Sequence, residues 1–123
     1  MTRLLAVTIV LIALTAAACG SDSNSSTTLP SSPTTTPDVT INIAGNNGAQ
    51  SYAPNPATAR VGQTVAWMNT DSITHTATQD AGSFQTGNIV AGTTSTPIMM
   101  NTAGTFTYHC SIHPGMVGTL TVQ

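Results

Sequence analysis

Residues 104–118 read Gly104-Thr105-Phe106-Thr107-Tyr108-His109-Cys110-Ser111-Ile112-His113-Pro114-Gly115-Met116-Val117-Gly118. The opening residues alternate in character and predict a strand over 104–108. Strand parity places Phe106, Tyr108 and Cys110 on one face and Thr105, Thr107 and His109 on the other. The threonines mark the solvent side, so Cys110 points into an apolar interior and His109 points away from it. Beyond the strand, a thiol, an imidazole and a thioether follow at spacings of three: Cys110, His113 and Met116. Pro114 fixes its own φ and biases His113 towards extended backbone, while Gly115 permits a tight path. These residues predict a short, stiff loop that returns Met116 towards the donors already placed.

The second imidazole is His75, which follows the turn-forming run Asn69-Thr70-Asp71-Ser72. One thiolate, two imidazoles and a weak thioether are the donors of a mononuclear His₂Cys copper centre with axial Met, the electron-transfer type of copper site. A structural zinc site would use a closed set of Cys and His without Met. A binuclear copper centre would need a second Cys in the loop, and none stands between Ser111 and Met116. A Cys-His protease would need an oriented third group and an oxyanion hole, and no motif supplies either. Met68, Met99 and Met100 lie outside the donor loop and read as core filler or surface residues. Trp67, Phe84 and Tyr108 read as core.

Working outward from this loop, residues 38–123 divide into short strands and turns. Val39, Thr40, Ile41, Asn42 and Ile43 alternate, with Val39, Ile41 and Ile43 on the inner face. Further strands are predicted over 57–61, 64–69, 75–79, 94–100 and 118–122, with Gly62-Gln63 as a turn and Pro97 marking an edge or a bulge. No amphipathic helix pattern of useful length interrupts them. An all-β sandwich or barrel follows, with one modest core.

The first third of the chain has a different composition. Met1-Thr2-Arg3 precedes an apolar run from Leu4 to Ala18, which is short for a membrane span and ends in small residues. Residues 1–18 therefore read as an export signal rather than a retained anchor. Cys19 follows Ala16-Ala17-Ala18 and is the predicted lipid attachment point of a lipoprotein signal; ordinary A-x-A cleavage without lipid is the other reading of the same residues. Residues 19–37 are rich in Ser, Thr and Pro, carry little apolar surface, and predict a disordered linker to a folded domain over 38–123. A Cys19–Cys110 disulfide is rejected, because it would consume the thiolate that the metal requires.

Charge narrows the partners. Lys and Glu are absent, Arg60 is the lone strong cation beyond the signal, and residues 81–123 carry no Asp, Glu, Lys or Arg. Nucleic-acid binding needs a basic surface to neutralise phosphates, so it is excluded. A monomer that docks redox proteins through an apolar patch is expected, and so is an exported, periplasmic or cell-surface location.

The segments Trp67-Met68-Asn69-Thr70-Asp71-Ser72, His75-Thr76, Phe84-Gln85-Thr86-Gly87 and 104–118 together resemble the plastocyanin/azurin-like cupredoxin family, over essentially residues 38–123. The short ligand loop is most similar to that of amicyanin-type members. The resemblance implies a Greek-key β-sandwich of two sheets, a type 1 (blue) copper ion and one-electron transfer rather than enzyme chemistry. It implies His75, Cys110 and His113 as strong ligands and Met116 as the weak axial one. It also implies that the exposed edge of His113 passes the electron, with Ile112, Pro114, Gly115, Met116 and Val117 around it. Many members carry Asn after the first His ligand, where its amide ties the ligand loops together. Here the residue is Thr76, which implies a looser or differently wired support for the metal. A copper carrier or buffer outside the cytoplasm would use the same donors.

Overall fold

In a computed structural model that describes residues 35–123, the alternating segments form two four-stranded sheets. The signal segment, Cys19 and the linker as far as residue 34 lie outside the described residues. The strands are β1 (Val39–Ile43), β2 (Tyr52–Ala53), β3 (Ala57–Ala59), β4 (Thr64–Asn69), β5 (Thr78–Gln79), β6 (Ile98–Met99), β7 (Gly104–His109) and β8 (Val117–Val122). One sheet runs β2-β1-β4-β6 and the other β3-β8-β7-β5. β1 pairs in parallel with β4, and β3 in parallel with β8; the other pairings are antiparallel. Both sheets are thus mixed, and apart from β1–β2 and β7–β8 the paired strands are not consecutive in sequence. This is the expected Greek-key sandwich.

Parity decides what each strand buries. Ile41 and Ile43 of β1, Val65 and Trp67 of β4, Ala57 and Ala59 of β3, Tyr108 of β7 and Leu120 and Val122 of β8 form one core with Phe84, Ile89 and Met100. Cys110 and Met116 belong to the same cluster, so the donor loop grows directly out of the packed interior. Trp67 lies against Tyr108 and Phe84, and Tyr52 meets Tyr108 edge-on at 4.8 Å between centroids. Met99 is exposed and Met100 buried, while the Met68 sulfur accepts a bond from the Thr94 hydroxyl.

Side chains lace the ends of the sheets together. Asp38 and Thr64 clamp the start of β1 to β4: the Thr64 N–H and hydroxyl both donate to Asp38 Oδ2, and the Asp38 N–H donates to Thr64 Oγ1. Asn55 sits where the chain leaves one sheet for the other. Its amide donates to the carbonyls of Ala49 and Val117, and its Oδ1 accepts the Thr119 N–H.

Several predicted strands are shorter than the pattern suggests, each for a physical reason. Of 75–79 only Thr78–Gln79 joins a sheet, because the N–H groups of Thr76 and Ala77 are taken by Cys110 Sγ and Thr86 Oγ1. His75 instead makes an isolated bridge with Ile89. Of 94–100 only Ile98–Met99 is strand; Pro97 has no N–H to give, and the Ser95 hydroxyl substitutes for a backbone partner by accepting the Trp67 N–H. The 57–61 strand stops at Ala59, since the Arg60 N–H turns to Gln63 Oε1. β2 and the 3-10 turn at Gly48–Gln50 have no counterpart among the predicted elements.

Candidate metal centre

Cys110 follows the last residue of β7 and is fully buried, as parity requires. His109, its neighbour, faces out and pairs with Asp80 across the β5–β7 edge, Nδ1 to Oδ1 at 2.7 Å. Hydrogen bonds from Thr107 and from His109 hold the Asp80 carboxyl below its ordinary range. The donor loop closes on itself: the Cys110 N–H donates to the Met116 carbonyl and the Met116 N–H to that of His113. Met116 is thereby returned beneath the loop, with its side chain fully buried.

Three donor atoms converge. Cys110 Sγ lies 3.9 Å from His75 Nδ1 and 3.8 Å from His113 Nδ1, and the two nitrogens are 3.2 Å apart. A trigonal ion bonded at about 2.0 Å to nitrogen and about 2.3 Å to sulfur separates its donors by about 3.5–3.8 Å. The cluster therefore fits one ion, and its soft and borderline donors fit copper. His75 is fully buried and His113 half-buried, so one side of the centre faces the core and the other the surface. Burial by itself pushes the Cys110 thiol up; the Thr76 N–H and the contacts with His75 and His113 outweigh it and bring its pKa to about 6. The thiolate, the metal-binding form, is then available at neutral pH.

Thr76 supplies the tie between loops that the missing Asn would give, with different atoms. Its N–H donates to Cys110 Sγ at 3.3 Å, and its hydroxyl oxygen accepts the Ser111 N–H at 2.8 Å while lying 3.8 Å from Sγ. The Ser111 hydroxyl continues the link to Thr78 Oγ1 at 2.8 Å. The Thr76 carbonyl is taken by the buried Tyr52 hydroxyl at 2.6 Å. The wiring is different, and with N–H, hydroxyl and carbonyl all engaged it is not loose. Burial pushes the Tyr52 phenol well up from its ordinary value, so it remains a donor here.

Two more supporting residues went unnoticed in the sequence. His75 Nε2 lies 2.8 Å from Asp71 Oδ2, on the side of the ring away from the other donors. The bond from His75, together with the Ser72 N–H, holds the Asp71 carboxyl below its usual range. Buried Asn69 organises the loop between them, donating to the carbonyls of Ile73 and Ile89 and accepting the Asp71 N–H. The signal was an acid four residues before the first His, inside the Asn69–Ser72 turn.

The chain is similar to known copper proteins. The family described as copper binding proteins, plastocyanin/azurin family, matches residues 39–123. A plastocyanin of Scenedesmus fuscus is 32% identical over 98 residues, covering 70% of this chain and all of that protein. Among solved structures, a purple cupredoxin from Nitrosopumilus maritimus superposes with a TM-score of 0.61 at 28% identity, over 70% of this chain and all of the other. The reduced Cu(I) form of an amicyanin variant superposes at 0.60 and 26% identity, over 69% of this chain and 81% of that one. A copper-containing nitrite reductase from Thermus scotoductus is also similar, at 0.60 and 28% identity, but this chain spans only 22% of it. With its sandwich topology and a His75–Cys110–His113 cluster positioned for a single copper ion, the chain belongs to the plastocyanin/azurin family of copper-binding proteins.

Proposed function

We propose that the protein is an exported one-electron carrier whose single copper ion is held by His75, Cys110 and His113, with Met116 as the weak axial donor. The observation that carries this reading is the convergence of three donors at the rim of a rigid core, with Cys110 and His75 held from outside the cluster by hydrogen bonds to Thr76 and Asp71. Copper, when bound, supplies a one-electron couple. The chain's part is to keep the donors still: Thr76 and Tyr52 lock the first loop, the Cys110–Met116 backbone bond closes the second, and the core under both leaves little to rearrange between oxidation states. The likeness to a plastocyanin and to amicyanin supports a carrier rather than an enzyme.

Electrons pass through the half-buried ring of His113. Beside it Ile112 and Val117 are 47% and 44% exposed, and Pro114 and Gly115 are exposed as well. Met116, expected in the same surface, is fully buried and is not part of it; its side chain belongs to the core cluster with Cys110. A redox protein docking on this face meets mainly apolar atoms, so charge steering contributes little and association rates depend weakly on ionic strength. Stopped-flow electron transfer with the natural partner at rising salt checks this; a steep fall in rate contradicts an apolar docking face.

The apolar run of residues 4–18 and the Cys19 that follows support export to the periplasm or cell surface as a monomer tethered by lipid, with residues 19–37 as the spacer. Copper delivery or buffering is the competing use of the same donors. A carrier of electrons retains its ion through repeated reduction and reoxidation under dialysis. Loss of copper on reduction would assign delivery instead.

A further inference from the structure

The two imidazoles of the cluster are not equivalent. His75 is fully buried and backed by a carboxylate, with Asp71 Oδ2 at 2.8 Å from Nε2. No carboxylate pairs with His113 among the described residues. An ionised carboxylate only accepts hydrogen bonds, so His75 Nε2 carries the ring proton and Nδ1 keeps its lone pair directed at Cys110 Sγ and His113 Nδ1. The carboxylate is itself held. The Ser72 N–H donates to Oδ1 at 2.7 Å, and the Asp71 N–H donates to Asn69 Oδ1 at 3.0 Å. Asn69 in turn grips the carbonyl of Ile89, the bridge partner of His75. Ring, acid and loop form one closed set of contacts that excludes the alternative tautomer.

We propose that Asp71 is a positioning residue of the metal centre: it fixes the tautomer and orientation of His75, and its negative charge, acting through the imidazole, favours the higher oxidation state of the bound ion and lowers the reduction potential. This rests on the copper-carrier reading above. Partners that bind a carboxylate-backed histidine make it a stronger donor to metal. A negative charge one imidazole away from the ion opposes gain of an electron. Asp71 is a quarter exposed, so solvent screens part of that effect without removing it.

The test is Asp71→Asn in the copper-loaded full chain. Asn keeps an oxygen acceptor of the same shape for Nε2–H and removes the charge, giving up the exposed bond from the Ser72 N–H to Oδ1. The visible colour should persist, while the Cu(I)/Cu(II) ratio at a fixed poise rises about tenfold, equivalent to about 59 mV. Asp71→Ala, which removes the acceptor too, should also shift the His75 Nε2 proton resonance of the diamagnetic Cu(I) protein upfield. A purely structural role would not raise the potential of a protein that keeps its colour. Unchanged potential in a fully coloured Asp71→Asn protein overturns the proposal. If the variants fail to fold, the wild-type Cu(I) protein still decides: the Nε2 proton of His75 should resonate far downfield, as in a charge-assisted hydrogen bond, and an ordinary position overturns the proposal. A wild-type complex with copper bound but no intense colour defeats the underlying copper reading instead, and the proposal with it.

Discussion

Cys110→Ser is expected to abolish the intense visible absorption of the Cu(II) protein and to weaken copper binding by about 100-fold or more. The colour of such a centre arises from charge transfer out of a thiolate, and Cys110 is the free cysteine among the described residues. Its sulfur is the softest donor of the cluster and lies within 4 Å of both imidazole nitrogens. The fold should survive the change. The substitution is nearly isosteric, a hydroxyl oxygen can still accept the Thr76 N–H, and the cost to stability should stay near about 1–2 kcal/mol. Absorption spectra and competitive copper titration of the folded variant check both halves. A Cys110→Ser protein that keeps an intense band would place the thiolate ligand elsewhere.

Gly118→Ala is expected to destabilise the fold by about 3 kcal/mol or more, a large effect for one methyl group. A Cβ on Gly118 would overlap the ring of Tyr108, its register partner across β7 and β8. That ring has nowhere to go, being packed edge-on against Tyr52 and Trp67 and beside Phe84. The damage should reach the metal centre, since Tyr108 is two residues from Cys110 and Tyr52 holds the Thr76 carbonyl. The shift in denaturation midpoint measures it; a loss below about 1 kcal/mol would mean that the aromatic cluster yields more readily than its packing indicates.

Much of this architecture is legible in the sequence where local rules and the global fold agree. The alternation of Phe106, Tyr108 and Cys110 against Thr105, Thr107 and His109 is the alternation of the folded strand, since side-chain parity is a local property of extended backbone. The donor loop is legible because Cys110, His113 and Met116 are close in sequence and Pro114 and Gly115 restrict the path. What escapes is set by contacts between distant segments. Tyr52 looks like any aromatic residue near a turn; only the fold brings its hydroxyl to Thr76, 24 residues away. Thr76 departs from the family pattern in residue type, yet its hydroxyl receives the Ser111 N–H from 35 residues away, which no local reading supplies. Asp71 is the intermediate case. Its spacing from His75 was visible, but on a turn rather than a helix that spacing does not by itself predict a contact.

The shortened strands carry the same lesson. Around His75 the backbone gives up ladder hydrogen bonds to sulfur and hydroxyl acceptors, so the pattern of a strand remains while the strand does not. Near Pro97 the Ser95 side chain replaces the partner that the backbone cannot provide. In both places side-chain acceptors compete successfully with the sheet, and beside His75 one of the competitors is the metal donor Cys110 itself.

The central claim is that His75, Cys110 and His113 hold one copper ion that cycles between two oxidation states without rearranging its ligands. Spectroelectrochemistry of the copper-loaded full chain tests it most directly. The account predicts an intense blue band in the Cu(II) protein, bleached by one electron per molecule and fully restored on reoxidation over many cycles. A colourless Cu(II) complex, or a band that does not return after reduction, would contradict it.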